Sequence, residues 1–82
     1  MISVAMATYN GASYVEKQIE SILKQSLPID ELIVCDDCSL DETVNIIEHL
    51  SISDTRIKLH INKENIGYIS NFYQAISMTS GK

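Results

Sequence analysis

Apolar residues come in short blocks along this chain, and the period of each block marks an element. Ile2 to Ala7 is a short apolar run bounded by Thr8-Tyr9-Asn10-Gly11. A run without alternation fits a strand buried on both faces, as in a parallel sheet. Ser13-Tyr14-Val15-Glu16 has the capping-box pattern, and beyond it Val15, Ile19, Ile22 and Leu23 recur at helical spacing. Pro28 closes that helical region, because the residue before a proline resists α geometry. Glu31 to Asp36 carries a second apolar run, Leu32-Ile33-Val34-Cys35, closed by acids. Ser39-Leu40-Asp41-Glu42 is another capping box, opening a helix with Val44, Ile47 and Leu50 on one face. Arg56 to Ile61 alternates more cleanly, as an edge strand or one with a wetter face would. The polar loop Asn62-Lys63-Glu64-Asn65 then leads through Gly67 into a helix carrying Ile69, Phe72, Tyr73 and Ile76.

The predicted order is βαβαβα. Crossover helices imply a parallel sheet with right-handed connections, hence an α/β sandwich. Ser80-Gly81-Lys82 reads as a helix C-cap where a further strand is expected to begin. Three parallel strands make a small sheet with open edges, which invites self-association. The expectation is therefore a single partial domain over residues 1–82, the first piece of a larger one.

Composition narrows the function classes. At 82 residues, with 45% hydrophobic and 21% charged residues, the chain suits one small folded unit. A net charge of -5 and only six scattered basic residues argue against nucleic acid as a partner, which calls for clustered Lys and Arg. The first ten residues, MISVAMATYN, have neither a basic segment nor a long apolar run, so the expected compartment is the cytoplasm.

Chemistry is expected where the carboxyl ends of parallel strands meet loops and helix N-termini. Those ends carry Thr8-Tyr9-Asn10, Asp36-Asp37 and His60-Ile61-Asn62 with Asn65 close behind. Glycine-rich dinucleotide and P-loop signatures are missing from the sequence. Cys35 and Cys38 form a C-x-x-C between strand and helix, the topological setting of a redox pair. The aspartates between them oppose that reading, since nearby negative charge raises a thiol pKa and a reactive cysteine needs it lowered. One such pair also supplies only two zinc ligands, and His49 and His60 read as surface and edge residues. A thiol-based redox or sensor module, and a non-catalytic interaction fragment, stand as the alternatives to a ligand site. Asp36 and Asp37 point to opposite faces of an extended chain, so they do not easily chelate one ion together. One is expected to tuck into loop backbone while the other, Asp37, projects into the crevice. Tyr9 can lie against a nucleobase or pack on the first helix.

The same residues resemble a known family. Ser3-Val4 through Thr8-Tyr9-Asn10, the helix ending Ile22-Leu23-Lys24-Gln25-Ser26, and Glu31 through Thr43 look like the family 2 glycosyltransferases of the GT-A fold. Asn65-Ile66-Gly67, Asn71, Ala75 and Ser80-Gly81-Lys82 continue the pattern, with a flavour closest to bacterial polysaccharide and rhamnosyltransferase-type enzymes. The resemblance implies a Rossmann-like three-layer α/β/α half-domain that binds a UDP- or dTDP-sugar donor for transfer to a glycan or lipid-linked acceptor. It implies nucleotide-binding roles for Thr8, Tyr9, Asn10, Asp36, Asp37, Asn65 and Gly67. In particular, Tyr9 would stack on the base, Asp37 would bond base or ribose, and Asn65 to Gly67 would line the approach to diphosphate and sugar. Cys38 stands where the family commonly has glycine or asparagine, and Ala7 where it has proline or threonine, so Cys38 is expected in a backbone conformation that glycine takes freely. The family's Mg²⁺- or Mn²⁺-binding acidic motif and its catalytic carboxylate fall beyond Lys82, so the 82-residue chain alone is expected to be inactive. The full-length protein is expected in the cytoplasm, at the inner face of the membrane.

Overall fold

A computed structural model describes residues 2–80. The elements are β1 (Ser3–Thr8), α1 (Val15–Leu23), β2 (Glu31–Asp36), α2 (Thr43–Ser53), β3 (Ile57–Ile61) and α3 (Tyr68–Ser77). All three strands are parallel, in the order β1-β2-β3. The register places Thr8, Asp36 and Ile61 in one row at the carboxyl end of the sheet.

Alternation along β2 sorts the layers. Leu32 and Val34 face a core with Met6, Ile57, Val15 and Ile19 of α1 and Ile47 of α2. Ile33 and Cys35 face the other way, onto Ala75 of α3. Helices α1 and α2 therefore cover one face and α3 the other, with α3 lying over β1 and β2. Each fully buried Leu or Ile contributes about 1.5–3 kcal/mol, so most of the apolar stabilisation sits on the α1/α2 side. This is the three-layer arrangement that the family resemblance implies.

Several local expectations are corrected. All six residues of β2 are buried, but in β1 only Met6 and Thr8 are. Among the described residues β1 is an edge strand, covered on both faces but less completely than its apolar run implied. Helix α1 ends at Leu23, five residues before Pro28, and residues 24–27 turn away from helical geometry. Neither capping box forms: α1 follows a turn with Tyr14 as its N-cap, and neither α1 nor α2 has a side-chain bond from its N-cap residue. Helix α3 buries Asn71 and Ala75, leaving Ile69, Phe72, Tyr73 and Ile76 exposed. It stops at Ser77; of the predicted Ser80-Gly81-Lys82 stop signal, Gly81 and Lys82 lie outside the described residues. Among the described residues no helix is long and apolar enough to cross a membrane.

Candidate functional site

The loops at the carboxyl end of the sheet are fastened by side chains, and Asp36 is the central fastener. It is fully buried. Its Oδ1 accepts from the Thr8 hydroxyl at 2.7 Å and the Ser39 hydroxyl at 2.6 Å, and its Oδ2 accepts from the Ser39 amide at 2.8 Å. Ser39 Oγ in turn accepts from the Asn10 amide at 2.8 Å, and Asn10 Oδ1 accepts from the Leu40 amide at 2.8 Å. Gly11 N–H donates to Thr43 Oγ1 and Ala12 N–H to Asp41 Oδ2. Asp41 Oδ1 also takes the Thr43 amide and hydroxyl at the start of α2. This explains the missing capping box before α2: Asp36 captures the Ser39 hydroxyl, and Asp41 takes up the helix-end amide instead. The loop after β1 is thus riveted to the loop after β2. Asn10 takes the left-handed turn at φ 50°, where the following Gly11 does not.

Asp37 is built differently from the expectation of a carboxylate projecting into the crevice. Only 2% of it is exposed. Its Oδ1 accepts from Asn62 Nδ2 at 2.9 Å and from the Ile66 amide at 2.8 Å, and its Oδ2 accepts from the Gly67 amide at 2.9 Å. Asn65 Nδ2 donates to its backbone carbonyl at 3.2 Å. Behind it, Asn62 Nδ2 also reaches Asn71 Oδ1, Gln74 Nε2 reaches Asn62 Oδ1, and Asn71 Nδ2 reaches the Cys35 carbonyl, all within 2.9 Å. Among the described residues no buried side-chain polar atom lacks a partner. Gly67 sits at φ 89°, a region that L side chains rarely adopt, so the turn into α3 requires glycine.

Beside this network lies a cleft of about 260 Å³, lined by Thr8, Tyr9, Asp37, Asn65, Gly67, Tyr68 and Asn71. Five of the seven residues predicted for the site meet here. Asn10 and Asp36 do not; they brace the loops from behind. The cleft adds Tyr68 and Asn71. Tyr68 had a signal in the sequence, an aromatic directly after the glycine that opens a helix. Asn71 follows Gly67 by one helical turn and faces the sheet. A second groove of about 220 Å³, between α1 and α2, is lined by Glu16, Asn45, Ile46, His49 and Leu50 and takes nothing from the strand ends.

Electrostatics separates the acids from the thiols. Burial works against the ionised Asp37 carboxyl, but the Ile66 amide, the Asn62 side chain and the Gly67 amide outweigh it and hold its pKa below the ordinary value. The Thr43 hydroxyl leads in lowering Asp41, and Arg56 lowers Asp54 across a 2.7 Å ion pair. Depressed carboxyls stabilise the fold above their unfolded pKa of about 4, and that stability is lost as pH falls through the lower folded values. Acid titration followed by far-UV circular dichroism is therefore expected to show constant stability near neutrality and a decline beginning below about pH 5. Stability that increases on acidification would contradict this.

The thiols move upward. Burial raises Cys35, with the Gln74 side chain partly opposing it. Burial and then the charges of Asp37, Asp36 and Glu64 raise Cys38, whose thiol donates to the Asn62 carbonyl at 2.9 Å. Cys38 has φ 63°, the left-handed backbone anticipated where glycine is common. Both thiols are free, and the geometry lends no support to a redox pair. Among the described residues no three His, Cys, Asp or Glu side chains converge to hold a metal. Asp36 and Asp37 have both carboxylates engaged by internal donors. The residues at hand do not fit a divalent ion.

A parallel sheet crossed by helices, with an aromatic and amide-lined cleft at its strand ends, is an open α/β architecture, a class in which ligands bind outside the carboxyl ends of the strands. Solved structures share it. Across 98% of the chain, the mannosyltransferase PcManGT from Pyrobaculum calidifontis, in complex with GDP-Man and Mn²⁺, superposes with a TM-score of 0.86 at 25% identity, this chain spanning 24% of it. Staphylococcus aureus TarS (residues 1–349), in complex with UDP, does so over the same 98% with a TM-score of 0.83 at 30% identity, again 24% of its length. These place the fold as the GT-A half-domain. The chain belongs to glycosyl transferase family 2, whose model matches residues 3–82. Among curated relatives, the Escherichia coli UDP-Glc:alpha-D-GlcNAc-diphosphoundecaprenol beta-1,3-glucosyltransferase WfgD is 37% identical over all 82 residues, which make up 32% of that protein. The chain spans 25–32% of the length of three further curated relatives and 8% of the Pasteurella multocida chondroitin synthase it also matches.

Proposed function

We propose that this chain is the donor-binding portion of a glycosyltransferase, holding the nucleoside diphosphate of a UDP- or dTDP-sugar at the carboxyl ends of β1 and β2. The observation that carries this reading is the cleft itself, where exposed Tyr9, Asn65, Gly67 and Tyr68 border the strand ends beside the start of α3. Tyr9 offers a flat face to a base, and Asn65 and Gly67, held in place by their bonds to Asp37, border the side toward diphosphate and sugar. The UDP complex of TarS and the lipid-linked acceptor in the name of WfgD support a sugar nucleotide as donor and a glycan or lipid-linked acceptor, in bacterial cell-surface polysaccharide synthesis. The hexosyl or rhamnosyl type of transfer belongs to the same proposal, as does a place at the inner face of the membrane for the whole enzyme.

Transfer forms a bond between the acceptor oxygen and the sugar's anomeric carbon as the bond from that carbon to the diphosphate breaks, the nucleoside diphosphate leaving and the acceptor's proton passing to a base. Asp36 and Asp37 are occupied in bracing loops, which leaves neither free to take that proton. The chain alone is therefore expected to bind a donor without transferring sugar. Titrating UDP and dTDP into the isotope-labelled chain tests the reading. Amide shifts should cluster at Tyr9, Asn65 and Gly67, and Tyr9→Ala should weaken binding about tenfold, from a stacking contribution of about 1–3 kcal/mol. No shift at millimolar nucleotide would refute it.

A further inference from the structure

Helix α3 reverses the usual amphipathic order. Its sheet side carries Asn71, Gln74 and Ala75, with Asn71 and Gln74 bonded to the Cys35 carbonyl and to Asn62. Its outer side carries Ile69, Phe72, Tyr73 and Ile76, whose i, i+3, i+4, i+7 spacing sets four side chains in one stripe. A helix on a soluble domain ordinarily turns such a stripe inward. Here all four are exposed, and the Phe72 and Tyr73 rings lie 6.3 Å apart at the middle of the stripe.

Two properties indicate what the stripe fits. The first is charge. Between Glu64 and Lys82 the sequence contains no charged residue, although the whole chain carries a net charge of -5. A partner recognised through charge finds nothing to pair with on this helix, whereas a second copy can approach it without like charges meeting at the contact. The second is area. The four side chains hold roughly 450 Å² of open surface, so two copies pairing there bury about 1,000 Å² with the polar rim, the lower limit of a specific interface.

We propose that the outer face of α3 is a self-association surface, on which two copies of this chain pair α3 against antiparallel α3 about a two-fold axis. The two-fold lets one patch serve both partners and closes the assembly at a dimer. In that register Ile69 of each copy lies toward Ile76 of the other, the aromatic pairs meet at the centre, and the helix macrodipoles run in opposite directions. The contact is made of side chains, unlike pairing through the open edges of the sheet. It holds whether or not the cleft binds a nucleotide.

Sedimentation velocity of the full 82-residue chain, from about 5 to about 500 µM, spans the range of so small an interface. The chain should pass from monomer to dimer and grow no further. Concentration-dependent amide shifts should fall on Ile69, Phe72, Tyr73 and Ile76 and spare β3. Ile69→Lys should stay monomeric throughout, with the far-UV spectrum of wild type and its urea midpoint at the lowest concentration. A strict monomer at the highest concentration overturns the proposal, and the stripe then belongs to another part of a whole enzyme. Growth beyond a dimer, or shifts confined to β1 and β3, points to edge pairing and overturns it as well. So does an Ile69→Lys chain that dimerises like wild type. If Ile69→Lys fails to fold, the shift map of wild type decides: shifts on α3 support the pairing, and their absence there ends it.

Discussion

Asp36→Ala is expected to remove a large share of the chain's stability. The substitution removes the acceptor for the Thr8 hydroxyl, the Ser39 amide and the Ser39 hydroxyl at a site with no solvent exposure. Each buried donor left without a partner costs about 1–3 kcal/mol, and the Ser39 hydroxyl can rotate to recover part of its share. A net loss of about 3–5 kcal/mol follows. A chain of this length has a total stability of only about 4–12 kcal/mol. Urea denaturation should show the midpoint falling by at least about 1 M, with the slope retained if the unfolded state is unchanged. A shift within about 0.5 kcal/mol of wild type would mean that the loops after β1 and β2 are held by something other than this carboxylate. Asp36→Asn keeps one acceptor oxygen and is expected to fall between the two.

This effect was only half legible in the sequence. Two aspartates after an apolar strand marked the strand end, and one was expected to turn inward. The partners were not visible, because Thr8 and Ser39 reach Asp36 through sheet register and a backbone reversal at Cys38. The same holds for Asp37, whose donors lie 25 to 30 residues further on. Local patterns failed where a distant group competed: Ser39 fitted a capping box, but Asp36 took its hydroxyl. Strand β2 read correctly because burial on both faces leaves an unbroken apolar run. β1 has a similar run and is only partly buried, since edge or centre is decided by strand order, which local sequence does not contain.

Helix α3 is where hydrophobicity misleads most, and it yields the sharpest test. Its apolar residues Ile69, Tyr73 and Ile76 are 71%, 66% and 43% exposed, whereas Asn71 and Ala75, one turn apart, are 1% and 0% exposed against the sheet. Small side chains at those two positions let the helix lie close over β1 and β2, and Asn71 bonds the Cys35 carbonyl at 2.7 Å and Asn62 at 2.9 Å. Asn71→Leu makes the buried position more apolar and yet should destabilise by about 2–4 kcal/mol. It removes the bonds to the Cys35 carbonyl and to Asn62 Nδ2 at about 1–3 kcal/mol and adds a branched side chain to a close packing at about 1–3 kcal/mol. Ile69→Lys places a charge on the apolar side of the same helix and should shift stability by no more than about 0.5 kcal/mol. Urea unfolding of the two variants ranks them opposite to any hydrophobicity scale. If Ile69→Lys proves the more damaging, the side of α3 that meets the sheet has been misassigned, and the polar network from Asp37 through Asn62 to Asn71 loses its anchor.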